Sequence, residues 1–306
     1  MLWFNRRMTN NSSNPSVFKR VALVGKFQAD GISKVLDQLS ELAKIQGCST
    51  WIEEGTAKFT KNEHLPTIKV NEMQGNIDVV IVIGGDGTLL GVGRHLAGAN
   101  IPVIGINMGR LGYMTDIPLQ EVSSILPQML AGFYESDSRD LLVASVIRNG
   151  EITHQGLALN DVVVNRSSLT GMVELTVKVN DSFMYNQRSD GLIVATPTGS
   201  TAYSLSSGGP ILHPRVDGMV LTPIAPHALS NRPIVLPNDV EILIEVAGGK
   251  DVNAHFDMQS LSILQVGDQV SVKKSTKRVT LLHPKGHSDY KTLREKLHWN
   301  EYPSSF

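Results

Sequence analysis

Ile81-Val82-Ile83-Gly84-Gly85-Asp86-Gly87-Thr88 is where a largely apolar run, Ile77 to Ile83 with Asp78 near its start, breaks into glycines around one carboxylate. Leu89 to Ala97 then has a helix-compatible composition. The pattern predicts a buried strand, a tight turn and a helix start. In open α/β sheets, ligands bind at the carboxyl ends of the strands. Glycines there let the backbone approach a phosphate, and free N–H groups at the helix start favour an anion. A carboxylate in that place repels phosphate. It makes sense where it accepts a proton from a substrate hydroxyl or helps to hold a metal ion. The competing reading is an Asp-Gly turn that only joins strand to helix. The double glycine, the buried strand before it and Thr88 after it favour function.

On the amino-terminal side, Val21-Ala22-Leu23-Val24-Gly25 repeats the theme of a buried strand running into glycine. Ile32, Val35, Leu36, Leu39, Leu42 and Ala43 have helical spacing. Thr50 to Glu53 could form a second strand, Pro102 to Asn107 forms another, and Gln120 to Ala131 is helical. Alternating strands and helices predict a mostly parallel, Rossmann-like sheet covered on both faces, spanning residues 19–139. Near residue 140 the texture changes. Leu141 to Arg148, Val162 to Asn165, Val173 to Val179, Gly191 to Ala195, Ile234 to Leu236, Val240 to Val246 and Gln269 to Lys273 are short strand-like runs separated by turns. They predict a β-rich second domain over 140–280 with antiparallel pairs. Residues 1–18 read as a flexible leader. Residues 281–306 read as a tail packing back on the first domain, with a short helix over Tyr290 to Leu297.

The 306 residues allow two domains, and 41% hydrophobic against 19% charged residues supports a full core under a polar surface. A net charge of −1 gives no support for nucleic-acid binding through a global basic field. The single cysteine, Cys48, excludes an internal disulfide framework and a cysteine zinc site, and reads as a small buried residue. No apolar run is long enough for a membrane span, and the leader lacks the apolar core of a secretory signal. These absences point to the cytoplasm. No cluster has the spacing of a protein-built metal cage, and the P-loop pattern G-x-x-x-x-G-K-[ST] does not occur.

The second informative block runs from Arg188-Ser189-Asp190-Gly191 to Thr196-Pro197-Thr198-Gly199-Ser200-Thr201-Ala202-Tyr203-Ser204-Leu205-Ser206. A short apolar strand, 192–195, gives way to a hydroxyl-rich turn and then a stretch able to start a helix. Small residues allow close approach, hydroxyls and amides offer partners to a polar ligand, and Tyr203 adds a flat ring with a polar tip. Asp190 is an acceptor and Arg188 a strong anion or carbonyl partner. The alternative is a Ser/Thr-rich surface loop, and the apolar strand directly before it argues against that. Asn160-Asp161, ahead of Val162-Val163-Val164, can clamp two ribose hydroxyls or simply cap the strand as an Asx turn.

Together these stretches resemble the NAD kinase family, over roughly residues 20 to 285. Gly84-Gly85-Asp86-Gly87-Thr88 is similar to a family signature shared with diacylglycerol kinases, sphingosine-type lipid kinases and 6-phosphofructokinases. Ile106-Asn107-Met108-Gly109-Arg110-Leu111-Gly112-Tyr113 is similar to a second, and the Asp190-Gly191…Thr196–Tyr203 string is the most specific. The resemblance implies an α/β first domain, a sandwich-like second domain, an active site between them, and homo-oligomers, usually tetramers built from dimers. It implies NAD and ATP as substrates, with magnesium arriving mainly on ATP. Asp86 would accept the proton of the 2′-hydroxyl, and Gly87 would let the ligand approach. Asn160 and Asp161 would hold NAD, with Asp161 standing where Glu is more common, and Asp190 would contact the nicotinamide end. Thr201, Ala202, Tyr203 and Ser206 would line the dinucleotide pocket. Arg188 matches a residue type associated with preference for NAD over NADH. Ala225 and Gln259 complete the set on resemblance alone, Met258 replacing a glycine common before the latter. His213 and His227 read as structural or surface residues.

Three other readings stand beside a 2′-kinase. A lipid kinase would share the glycine loop, but its pocket should be more apolar than 196–203. A sugar kinase of the phosphofructokinase type would require a second alternating α/β half. A dinucleotide-binding regulator that had lost catalysis would have no use for Asp86.

Overall fold

The computed structural model describes residues 16–300, apart from 28, 30, 110, 111 and 168–170. The chain divides into two compact units, one of residues 1–88, 101–136 and 282–306, the other of 89–100 and 137–281. Of the expected leader, residues 1–15 lie outside the described residues. Ser16 is held by bonds to the carbonyls of Gln46 and Leu130, and Phe18 packs in the core, so residues 16 and 18 of that stretch belong to the first unit's packing. Of the expected tail, 301–306 lie outside the described residues.

In the first unit five strands lie parallel in the order Val103–Asn107, Val79–Gly84, Arg20–Gly25, Ser49–Glu53 and Thr67–Ile68. All six residues of Val79–Gly84 are buried, the unbroken apolar run of a strand covered on both faces. The register sets Gly25 beside Ile83 and Gly84 beside Asn107, so three strands end level. The helix Ile32–Ile45 buries Ile32, Val35, Leu36, Leu39 and Ala43, most of the stripe its spacing predicts. The helix expected to follow Thr88 begins earlier, at Asp86, because the turn itself winds into its first residues. A helix over Glu54–Thr60, capped by the Glu53 carboxylate on the amides of Gly55 and Thr56, was not legible. Seven residues are too few to show a helical period against noise.

The second unit is a sandwich of antiparallel strands. One sheet has the order Ile234–Pro237, Gly218–Ile224, Gly191–Ala195, Asp161–Arg166, Val252–Phe256, Ser260–Leu264. The other holds Val173–Val179 between Ser182–Ser189 and Ile242–Gly248, the last pairing onward with Gln269–Pro284. Val162, Val164, Leu192, Val194 and Leu221 from the first sheet meet Leu175, Val177, Ile244 and Val272 from the second in one core. Alternation then sends Val163, Ile193, Ala195 and Val220 to the opposite face, where Tyr203 and Leu212 pack on them. The hydroxyl-rich turn therefore lies on the back of the six-stranded sheet.

Candidate active site

Asp86 is the first residue of the helix Asp86–Leu96, and its carboxylate is fully engaged. Oδ1 accepts from the amides of Met114 (3.0 Å) and Thr115 (3.2 Å) and from Thr115 Oγ1 (3.2 Å). Oδ2 accepts from the amide of Tyr113 (2.8 Å) and from Lys296 Nζ (2.7 Å). Burial alone would raise this acid. The Lys296 ammonium and the amides of Tyr113 and Met114 outweigh it, so the carboxyl is held below its ordinary range and stays ionised at neutral pH. The fit depends on Gly112, where a Cβ would sit 2.2 Å from Asp86 Oδ1. By contrast, a Cβ at Gly85 or Gly87 would meet no described neighbour, and neither has a positive φ, so the fold itself does not demand glycine there.

The Asn160-Asp161 pair and the 196–203 turn are brought together. Thr196 N donates to Asn160 O, Thr196 Oγ1 donates to Leu159 O at 2.6 Å, and a Cβ on Gly199 would come within 2.0 Å of Asn160 O. Most hydroxyls in the turn brace it rather than point outward: Ser200 Oγ bonds Pro197 O, Thr201 Oγ1 bonds Thr198 O, and Ser204 Oγ meets Thr222 Oγ1. The sequence had offered these groups to a ligand. Their small donors are instead what lets the chain close a 3-10 turn, Gly199–Thr201, and then the short helix Tyr203–Ser206. Ala202 and Ser206 belong to the same turn, joined by Ser206 N donating to Ala202 O.

Asp257 holds the Asn160-Asp161 turn in place. Its carboxylate accepts from the amides of Leu159, Asn160 and Asp161 at 3.0, 2.7 and 3.1 Å. Arg94 lies 3.4 Å from Asp257 Oδ2. Asp161 is 2% exposed, and burial together with the charge of Asp257 pushes its carboxyl up to about 7. Among the described residues, Asp161 Oδ1 and Asn160 Oδ1 are buried without a hydrogen-bond partner. Buried polar atoms are rarely left so.

Asp190 is ion-paired with Arg166 at 2.8 Å. Arg188 points elsewhere: its Nε pairs with Glu174 across the strands at 3.0 Å, and its side chain is 63% exposed. Its carbonyl accepts from His227 N, beside Ala225, which has a φ of 43°. Gln259 accepts from Arg94 at 2.6 Å and lines a cavity of about 730 Å³ in the second unit with His95, His154, Lys274 and Lys277. The altered turn before it closes with Asp257 and Met258 at φ 52° and 55°, so methionine takes a conformation that favours glycine.

The sequence did not show Lys296, Asp257 or a third cluster in the first unit. His283 and His287, stacked 4.0 Å apart, both turn Nδ1 to Asp116 Oδ2, at 2.9 and 2.8 Å. These three carry donor atoms close enough for a cation, although no spacing in the sequence suggested one. The short N···O contacts are those of hydrogen bonds, and Asp116 and Asp289 raise His287 to about 9.

Comparison with known proteins shows the family. Residues 25–134 match the ATP-NAD kinase N-terminal domain and 159–283 the ATP-NAD kinase C-terminal domain. The chain is 56% identical to an NAD kinase of Ralstonia nicotianae over 97% of its length and 98% of the relative's. It is 55% identical to one of Burkholderia pseudomallei over 94% and 96%. Among solved structures, an Archaeoglobus fulgidus NAD kinase in complex with ATP matches with a TM-score of 0.72 at 25% identity, covering 91% of this chain and 98% of that one. A yeast NADH kinase complexed with NADH shares the fold, with a TM-score of 0.84 at 23% identity over 96% and 89%.

Proposed function

The chain belongs to the NAD kinase family, and we infer that it transfers the γ-phosphoryl group of ATP to the 2′-hydroxyl of the adenosine ribose of NAD, giving NADP and ADP. The observation that carries the mechanism is the ionised Asp86 carboxylate, oriented on both oxygens at the head of a helix. In a loose phosphoryl-transfer transition state the proton moves late, so an acid that aligns the hydroxyl matters more than a strong base. The hydroxyl oxygen bonds to the γ-phosphorus, the electron pair of the breaking P–O bond leaves on ADP, and the proton passes to Asp86. Open space at Gly85 and Gly87 supports close approach of a phosphate to that turn.

Asn160 and Asp161, with their unpartnered oxygens, support binding of ribose hydroxyls, and Tyr203, Thr201, Ala202 and Ser206 support a dinucleotide beside them. Asp190, Ala225 and Gln259 remain in the same reading as neighbours of the ligand, and Arg188 as the residue that favours NAD over NADH. The residues around Asp86 do not suit a bound cation, because both of its oxygens already carry donors. Magnesium would come on the phosphates of ATP and keep several waters. A cytoplasmic dimer or tetramer completes this reading. Among the described residues no helix is long and apolar enough to cross a membrane.

Incubating the purified protein with NAD, ATP and magnesium, and detecting NADP with an NADP-specific dehydrogenase, tests the reaction. NADP should accumulate only when ATP is present. NAD binding without NADP would favour the non-catalytic dinucleotide-binding alternative.

A further inference from the structure

Five donors surround the Asp86 carboxylate, and four of them are backbone amides or a short hydroxyl fixed by the 113–115 segment. The fifth, Lys296, comes from 210 residues away on the helix Asp289–Leu297. That helix is capped by Ser288 on the amide of Lys291 and buries Thr292. Lys296 lies four residues on, hence on the same inward face. Its ammonium also sits 4.4 Å from the centre of the Tyr113 ring, so an aromatic face steers it onto Oδ2.

Oδ1 already has three donors, so a hydroxyl can reach the carboxylate only at Oδ2, on the side the ammonium occupies. A backbone amide cannot move aside, whereas a lysine head on a four-carbon stem, 29% exposed, can. We propose that Lys296 is the positioning residue of the reacting centre: it holds the Asp86 carboxylate ionised and aligned, and gives up its place on Oδ2 to the substrate hydroxyl. The terminal helix is thereby part of the catalytic apparatus rather than a mere tail. This rests on the kinase reading above.

The titratable groups that face Asp86 among the described residues are Lys296 and the Tyr113 phenol. Tyr113 is pushed up to about 12 by burial and by the charge of Asp86, so it stays neutral over the working range. Without Lys296, burial dominates and the carboxyl rises, since a cation at this distance is worth about 1–3 pH units.

The test compares wild type, Lys296→Met and Lys296→Arg for kcat, for KM of NAD and ATP, and for the pH profile of kcat/KM for NAD, which reports the free enzyme, from 5 to 9. Thermal unfolding runs alongside. Lys296→Met should lose about tenfold or more in kcat, leave KM for NAD within about threefold, and move the acid limb upward by about one unit or more. Lys296→Arg should restore the position of the limb. Active wild type with an unmoved limb in Lys296→Met, or a raised kcat, overturns the proposal and leaves the kinase reading standing. Inactive wild type sinks that reading instead. If Lys296→Met unfolds, the arginine variant decides. A wild-type limb upholds the proposal, and a limb displaced as far as full loss of the cation predicts overturns it.

Discussion

The Asp86 turn and the Asn160-Asp161 turn both set an acid beside a strand end, yet they solve opposite problems. At Asp86 both oxygens carry donors, one of them the movable Lys296 ammonium on Oδ2, and the group is ionised. At Asp161 the neighbouring charge is another carboxylate, burial is nearly complete, and an oxygen lies unpartnered. The first acid is fixed by backbone amides and charged, with one place that a lysine can yield to a hydroxyl. The unsaturated pair is a socket whose desolvation cost is recovered when a ligand arrives. Residue type alone does not separate the two, because the surrounding donors do.

Replacing each acid by its amide tests that contrast most sharply. Asp86→Asn should lower turnover by about 10²- to 10⁴-fold in the coupled NADP assay while leaving NAD affinity, measured by titration, within about threefold. Unchanged turnover would remove Asp86 from the chemistry and collapse the distinction.

Glycines give the next largest effect. Gly199→Ala drives a Cβ into the Asn160 carbonyl and should cost about 3 kcal/mol or more in denaturant unfolding. Gly87→Ala meets no described neighbour and should change stability by about 1 kcal/mol or less, yet lower kcat/KM for ATP about tenfold. An unchanged kcat/KM for ATP in Gly87→Ala would show that the open space at the first turn has no bearing on ligand approach.

Asp161→Asn reads the socket's charge. The folded carboxyl sits near 7, well above an unfolded aspartate, so the folded state keeps a proton that the unfolded chain has lost. The contribution of Asp161 to wild-type stability therefore declines from about pH 4 up to about pH 7, and Asp161→Asn should gain on wild type across that window by on the order of 4 kcal/mol. A constant difference from pH 5 to 8 would mean that Asp161 is ionised like Asp86. The smallest stability effect belongs to Arg188→Ala, where an exposed pair with Glu174 is lost. Stability should move by less than about 1 kcal/mol, and use of NADH relative to NAD should rise. An unaltered ratio would dismiss Arg188 as a selector.

Much of this was legible because periodicity and glycine chemistry are local. The strand over 79–84, the helix Ile32–Ile45 and the β-rich second half follow from patterns a few residues long. Short strands such as Val252–Phe256 and Ser260–Leu264 escaped because five residues carry little period and their pairing is what defines them. The hydroxyls of 196–204 were visible, but whether they face a ligand or their own backbone depends on how tightly the turn closes over Asn160.

What the chain settles by itself is the presence of two glycine-rich strand ends, one with an acid and one with hydroxyls, since steric freedom and apolar runs act between near neighbours. What only tertiary packing decided is the state of the acids. Lys296 reaches Asp86 across 210 positions, and Asp257 reaches the amide of Asp161 across 96. Electrostatic energy depends on distance in space and on burial, and neither can be read along the chain.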